Sequence, residues 1–562
     1  MNRIMKQSRF MKYANHICHQ VKVWSVALLT IPTLVFVTSC KDYLETPSQS
    51  SLSTDNSYST PANIDKALIG VYGTLKPFAT YYFAMSEFRS DNLFITTEAK
   101  TNEYSDCAQF NNTGLLNDNL VANCWADHYK LIAAANVLLD RIHEGGLSDA
   151  LLKQYSAEAR FLRALAYFDM VRFFGRVPIS LHEIAPNDAF MIKQSDAIDV
   201  YNNAIIPDLE YAVENLQETA VDYMGTVRTE RATKQAAQAL LGKVYLQMAG
   251  FPLYQDTQAK AQTLFEEVLK HYDWINRWAG NIDTWNKMWI HENDNKYFIF
   301  EIQYIAEKGQ GNPATPLSKN SNTYADQYCN AYLTTGPHVY VERDLQDHFL
   351  ISNTIENGDG SVTEDFIDKR LYGTINTDQT YDEETGEYIG GVTDQNNFCV
   401  KNFEHKIKRS SLGFSDMDAT IVDRTYWPQN WPVLRIEDIM LLYAECVGNT
   451  TEGYRYLNMV RTRAGLSEVK QLSAEAFQEA VKMERRYELL GEGHRWFDEV
   501  RQNTFVNDIR TMMINYRDKR DNAHSSNYTI YANRVSQSSH LYPIPLSQIR
   551  IREGLYEQNP GY

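Results

Sequence analysis

The stretch from Ala157 to Gly175, AEARFLRALAYFDMVRFFG, shows the pattern that dominates the chain. Phe161, Ala164, Leu165, Phe168 and Val171 recur at helical spacing and form one stripe, so a helix is predicted that stops at Gly175 and Pro178. PANIDKALIGVYGTL opens with Pro61 at a helix N-terminus and aligns Ile64, Leu68 and Val71. CWADHYKLIAAANVLLDRI is a further helical segment. In RIEDIMLLYAECV, Ile436, Ile439, Met440, Tyr443, Ala444 and Val447 share a face, and GYRYLNMVRTRAG is its expected partner.

One pair carries more detail. Leu241-Gly242 with Tyr245 gives L-G-x2-Y, and Ala261 with Phe265 gives A-x3-F, as in a tetratricopeptide helix pair. Gly242 is expected to admit the partner helix closely, with Tyr245 and Phe265 filling the gap. The linker between the two helices is longer than in a standard repeat. The expected fold is mainly α: about four divergent tetratricopeptide-like helix pairs, with long irregular loops and little β. Residues 272–340 and 352–432 lack a period, except that YFIFEIQY alternates weakly and reads as a strand.

The N-terminus follows another logic. Arg3, Lys6, Arg9, Lys12 and Lys22 precede an apolar run from Val23 to Val37, too short to span a membrane and followed by Thr38-Ser39-Cys40. This reads as a signal peptide over residues 1–39; Thr38-Ser39-Cys40 resembles a bacterial lipobox, which implies lipidation at Cys40, the alternative being an ordinary signal peptide with a chance cysteine. Residues 40–60 read as a Ser/Thr-rich tether, and 61–562 as a single domain.

Formal net charge is −17, and loss of the five leader cations takes the mature chain to near −22. That argues against nucleic acid, which needs clustered Lys and Arg. Five widely spaced cysteines remain after Cys18 and Cys40, without a C-x-x-C, so neither a disulfide framework nor a zinc site is expected. The 36 Tyr, 24 Phe and 9 Trp exceed what a core needs, and rings with polar handles suit sugar faces.

Tests for catalytic and cofactor motifs fail. WIHEND is not a zinc-protease motif, and phosphate-loop, dinucleotide and nucleophile-elbow patterns are missing. IENGDGSVTEDF has Ile355 where a calcium loop begins with Asp, so it reads as a turn. No cofactor and no metal are expected. In MERRYELLGEGHRWFDEVR, residues Glu484, Arg485, Arg486, Glu488, Glu492, Arg495 and Asp498 read as an ion-pair lattice between helices. Dense arginines would hold such carboxylates ionised, which is wrong for a general acid, and His494 gains no catalytic role from them.

PVLRIEDIMLLYAEC, YLNMVRTRAGL, MERRYELLGEGHRWFDEVR and LYPIPLSQIRIREGLYEQNPGY occur in that order. With CKDYLETP, EARFLRALAYFDMVRFFGRVPI and RATKQAAQALLGKVYL before them, they closely resemble the SusD/RagB family of outer-membrane nutrient-binding lipoproteins. The resemblance implies a SusD-like domain with an N-terminal part at about 61–270 and a C-terminal part at about 271–562. It further implies a lipid-anchored protein on the outer membrane, facing the cell exterior. There it would pass a nutrient, most often a glycan, to a TonB-dependent SusC-like barrel. Peptide capture, as in some relatives, is the alternative within binding. A glycoside hydrolase with two loop carboxylates and a purely structural lid are the others.

Two stretches lie where such proteins usually place ligand contacts. ATYYFAMSEFRSDNLF supplies Tyr81, Tyr82, Arg89, Asp91 and Asn92; adjacent tyrosines point apart, so at most one of Tyr81 and Tyr82 is expected to touch a ligand. KNSNTYADQYCNAYLTTGPHVY supplies Asn322, Tyr324, Tyr328, Tyr332 and Tyr340. Spacing of four puts Tyr324, Tyr328 and Tyr332 on one helical stripe, either an exposed platform or core. Trp125 and Trp431 read as core, Trp427 as either, and Trp274, Trp278, Trp285 and Trp289 mainly as packing.

Overall fold

The computed structural model describes residues 58–95, 103–271, 297–304, 339–356, 362–374, 430–519 and 525–562, with short pieces at 278–282, 284–285, 358, 380–381 and 388–389. The principal elements, in chain order, begin with helices α1 (Pro61–Gly73) and α2 (Phe78–Ala84) and strand β1 (Leu93–Ile95). Helices α3 (Asn119–Arg141), α4 (Asp149–Phe174), α5 (Ile206–Asn215), α6 (Lys234–Ala249) and α7 (Gln258–His271) follow. Next come strands β2 (Phe298–Ile302), β3 (Val339–Val341), β4 (Ser352–Glu356), β5 (Val362–Phe366) and β6 (Trp431–Arg435). Helices α8 (Ile436–Val447), α9 (Thr451–Arg463), α10 (Ala474–Glu488), α11 (Arg495–Arg501), α12 (Phe505–Lys519) and α13 (Ser525–Arg534) complete it.

Local sequence explains the helix ends. Thr60 caps α1 by accepting from Asn63 N, with Pro61 pre-set in the first turn. Ser148, Thr233, Thr450 and Ser473 cap α4, α6, α9 and α10 in the same way. From α3 to α9, each helix packs on the next, and α7 meets α8 across the long intervening excursion. The helical array therefore resumes at residue 436. Among the described residues, no helix is long and apolar enough to cross a membrane.

The expected faces are buried: Ile64, Leu68 and Val71 on α1, and Ile436, Ile439, Met440, Tyr443 and Ala444 on α8. Helix α4 goes further than its stripe. Between Gln154 and Phe174 only Arg160 and Arg172 are half-exposed. Its buried polar groups are paired: Arg163 forks onto Asp208 at 2.7 and 2.9 Å, and Asp169 accepts from Tyr82 Oη at 2.6 Å. Surrounded by neighbours, α4 needs no solvent face.

YFIFEIQY forms β2, buried at every position and antiparallel to β6. Cover on both faces explains the weak alternation. IENGDGSVTEDF contributes the end of β4 and all of β5, which pair antiparallel, in agreement with the turn reading. Tyr542 is buried and donates to Met85 O at 2.8 Å, so the C-terminal tail is tied into the N-terminal half. Cys107 and Cys124 are free buried thiols, and Cys446 is free and half-buried in the last turn of α8.

The α6–α7 pair packs as its motif requires. A Cβ on Gly242 would lie 2.5 Å from Phe265 Cε1, and Tyr245, Ala261 and Phe265 are all buried. Gly242→Ala should therefore destabilise the fold by about 1–3 kcal/mol, read as a lower urea midpoint. Gly70→Ala is the control. That residue is exposed on α1 with nothing near its would-be Cβ, so helix propensity alone should make the change neutral to about 1 kcal/mol stabilising.

Candidate functional site

The first candidate stretch lies inside the protein. Tyr81 and Tyr82 are 4% and 7% exposed, and their hydroxyls donate to Asp127 at 2.5 Å and Asp169 at 2.6 Å. Arg89 is buried between the rings of Phe110 and Tyr542, each 4.4 Å from its guanidinium carbon, and donates to Ser539 O at 2.9 Å. Asp91 accepts two bonds from Arg495 at 2.8 Å. Asn92 donates to Glu87 at 2.9 Å and accepts from Arg486 at 3.2 Å. Sequence reasoning expects at most one of Tyr81 and Tyr82, with Arg89, Asp91 and Asn92, to meet ligand; in the structure the rings and polar ends of all five are engaged by internal partners. Their most distant partners stand some 400 residues along the chain, where no local pattern shows them.

What the stretch supports is informative. Tyr304, just after β2, donates from its hydroxyl to Lys76 O at 2.7 Å and from its backbone N–H to Asn430 Oδ1 at 3.0 Å. Trp431 is buried and stacks on Tyr82 with centroids 6.5 Å apart. Strand β1 pairs antiparallel with β3, Leu93 opposite Val341. Residues 76–95 thus hold residues 304, 339 and 431, beside the points where the described residues break off at 304 and resume at 339 and 430. Asn322, Tyr324, Tyr328, Tyr332 and Trp427 lie outside the described residues, as does Cys40; Tyr340 is described only as backbone of β3. Trp285 is buried and donates to Glu488 at 3.2 Å, so it is packing, as expected.

The C-terminal lattice forms and is larger than its motif. Arg370, fully buried, pairs with Asp368 at 2.7 Å, Glu484 at 2.8 Å and Glu488 at 2.9 Å. Arg435 pairs with Glu492 at 2.7 Å, Glu488 at 2.8 Å and Glu437 at 2.9 Å. Arg463 bridges Glu437 and Glu488 at 2.7 and 2.5 Å, and Arg485 bridges Asp438 and Asp498, both at 2.8 Å. One clue to this extension stood in the sequence: Arg435 interrupts the apolar run Val433-Leu434-Ile436, and a buried guanidinium needs carboxylates.

Burial alone would raise these carboxyls. Arg486 and Arg495 overcome it at Asp91, Arg370 and His348 at Asp368, and Lys243, His494 and Arg485 at Asp438, holding all three well below the ordinary range. His494 is driven the other way, well below its ordinary value, by burial and by Lys243. Its Nδ1 lies 3.4 Å from Lys243 Nζ, which also holds Asp438 at 2.6 Å. This corner lines a cavity with Tyr82, Phe168, Arg172 and Trp431, and its charged groups are committed to one another. Asp91, Glu499 and Asp508 stand within 4.8 Å of one another, a spacing that suits a cation. Arg495 already supplies one: its Nε is 3.0 Å from Glu499 and its Nη2 3.6 Å from Asp508.

Comparison with known proteins fits this arrangement. A family model described as "SusD family" matches residues 296–562, and one described as "Starch-binding associating with outer membrane" matches residues 42–246. The chain belongs to the SusD family. SusD-like protein P38 of Formosa agariphila is 25% identical over 511 residues, 86% of this chain and 92% of that one. A SusD-like protein of Bacteroides ovatus is 26% identical over 420 residues, 71% and 68% of the two chains. Among solved structures, a laminarin-binding SusD-like protein covers 90% of this chain and 100% of its own at TM-score 0.65 and 23% identity. Surface glycan-binding protein A from Bacteroides fluxus does the same at TM-score 0.65 and 24% identity. At these identities the structures establish the shared fold.

Two measurements follow from the interior charges. Arg435→Met leaves buried carboxylates uncompensated and should cost about 3–5 kcal/mol in urea unfolding. Arg141→Met removes a solvent-screened pair with Glu183 (2.8 Å) and should leave the urea midpoint essentially unchanged. The second measurement concerns pH. Burial raises Glu158 and Glu342 to about 7 against partial relief from Arg231 and Arg486. Between their unfolded value and 7 the folded chain binds more protons, so stability falls as pH rises through that window. Asp91, Asp368 and Asp438 act oppositely: their contribution is full above the unfolded Asp value and is lost as pH falls below it. The thermal midpoint should therefore peak in mildly acidic buffer and decline toward pH 8, and Glu158→Gln with Glu342→Gln should flatten that decline in scanning calorimetry.

Proposed function

We propose that this chain is a non-catalytic glycan-binding lipoprotein of the outer membrane, anchored through Cys40 and facing the cell exterior. It would hand an oligo- or polysaccharide to a SusC-like TonB-dependent barrel. The observation that carries the reading is the fold shared, over 90% of this chain, with a laminarin-binding protein and surface glycan-binding proteins. The family description over residues 42–246 supports the membrane and the carbohydrate together.

The division of labour inside the fold agrees with capture rather than chemistry. Asp91, Asp368 and Asp438 are buried, paired and held ionised by their cationic neighbours, which suits neither a general acid nor a nucleophile. Binding a neutral sugar needs only ring faces and fixed donors and acceptors. Asn322, Tyr324, Tyr328 and Tyr332 are the contact residues we propose. The stretch carrying Tyr81, Tyr82, Arg89, Asp91 and Asn92 positions the chain on either side of them.

The test is binding of residues 41–562 to a panel of polysaccharides, host glycans and peptide digests by native affinity electrophoresis and calorimetry. Retardation by one glycan class, reduced at least tenfold by Tyr324→Ala or Tyr328→Ala, is expected. Retention by peptides alone would replace the glycan with a peptide ligand. Retention by nothing would leave the chain a lid whose contacts form only with its barrel.

A further inference from the structure

The linker between α6 and α7, GFPLYQDT over residues 250–257, is longer than the helix pair needs, and it is rigid. Phe251 N donates to Arg501 O at 2.9 Å, Tyr254 N to Gly250 O at 2.8 Å, and Gln255 N to Met248 O at 2.8 Å. Buried Thr257 closes the loop through its hydroxyl onto Tyr245 O at 2.7 Å. On this frame Tyr254 stands with 63% of its surface exposed and its backbone in the left-handed region, φ +49°. Beside it, in the turn between α11 and α12, Asn503 is also exposed and left-handed, φ +58°. Glycine would take either position without steric penalty, and an exposed ring adds little to packing.

These two residues come from different parts of the chain and are joined. Asn503 Nδ2 donates to Tyr254 Oη at 3.4 Å, and Asn503 Oδ1 accepts from Gln537 Nε2 at 3.2 Å. Gln537 is exposed too. The Phe251 ring meets Tyr254 edge-on at 6.1 Å and His540 at 5.0 Å, so the tyrosine is steadied from the side. His540 Nδ1 is engaged with Gln537 O at 2.6 Å. The result is an ordered row of one ring and two amides at the surface. Tyr254 is held left-handed by a well-bonded frame, and Asn503 takes that conformation as the residue that ends α11, with Asn503 N on Val500 O and Thr504 N on Glu499 O, both at 2.9 Å. Local strain kept in place by its surroundings is characteristic of sites that bind.

We propose that Tyr254, Asn503 and Gln537 form a carbohydrate-binding surface site, in addition to the residues around Tyr324 proposed above. The Tyr254 ring lies against the C–H face of a pyranose, and the two amides, each both donor and acceptor, bond its hydroxyls. The contact groups are uncharged, so the ligand class is a neutral sugar. The inference rests on the glycan reading above and adds a second contact to it. A long polysaccharide engaging both places would gain by avidity what neither gives alone.

The experiment uses the whole mature chain, with laminarin and soluble starch as probes in affinity electrophoresis. Tyr254→Ala and Asn503→Ala should weaken retention of a bound polysaccharide at least fivefold with an unchanged thermal midpoint. Tyr254→Phe, which keeps the ring, should retain binding. A glycan lost by Tyr324→Ala but held as tightly by Tyr254→Ala as by wild type would uphold the function and overturn this site. Wild-type chain retained by neither these probes nor the wider glycan panel would overturn both. Loss of peptide binding alone in Tyr254→Ala would make the patch a protein contact and overturn the sugar assignment.

Discussion

The fork of Arg495 on Asp91 is the constraint on which the rest is hung. Two parallel bonds at 2.8 Å join the N-terminal stretch to α11, and Arg486 adds a third guanidinium contact at 3.2 Å. A bidentate pair fixes direction as well as distance. Residues 76–95 then carry β3 on β1, Tyr304 on Lys76 and Trp431 on Tyr82. The fork works with Arg486 on Asn92, Arg89 on Ser539 O and Tyr542 on Met85 O to fix this segment against the C-terminal part. Gly493 shows how tight the seat is: at φ +80° it has no room for a side chain, since a Cβ would lie 2.7 Å from Tyr82 O.

The lattice behind that fork is costly to desolvate, and replacing such charges with apolar groups often leaves stability unchanged or higher. Its value here is in alignment. Arg370, Arg435 and Arg463 all reach Glu488, so the chain before β6, the strand itself, α9 and α10 converge on one carboxylate. An apolar core tolerates sliding of helices past one another; a shared carboxylate with fixed acceptor directions does not. Scaffold helices that must present distant loops at a set spacing benefit from that rigidity.

The helices were legible because burial of one face writes a period into the chain: α1, α6 with α7, and α8 with α9 follow from residue spacing alone. Gly242 and Phe265 even disclosed their contact. Helix α4 was under-read because a helix covered on all sides keeps its stripe but adds buried charges, and Glu158, Arg163 and Asp169 look like solvent-facing residues until their partners are known. The same ambiguity hid the internal partners of Tyr81, Tyr82, Arg89, Asp91 and Asn92. A tyrosine beside polar residues reads alike whether its hydroxyl meets a sugar or a buried aspartate. The seven lattice residues were found because they sit together in sequence. Arg370 and Arg463 were not, because their acids belong to other segments. Tyr254 and Asn503 also passed unremarked, since left-handed backbone at a non-glycine residue leaves no trace in composition.

The arrangement of charge narrows what can be captured. The chain is strongly acidic, with a formal net charge of −17, yet Arg89, Arg163, Arg231, Arg370, Arg435, Arg463, Arg485, Arg486 and Arg495 are buried. Among the described residues the buried acids outnumber these arginines, so the interior pairs do not create the acidity; the chain's overall excess of Asp and Glu over Lys and Arg still leaves an acidic exterior. Such a surface attracts cations and repels polyanions over a Debye length, about 8 Å at physiological salt. Neutral polysaccharides feel neither force, and their affinity must come from contact alone: ring faces and amides held still before the ligand arrives. A scaffold rigidified from within by arginine forks, with rings and amides left for its surface, meets that requirement without any long-range attraction.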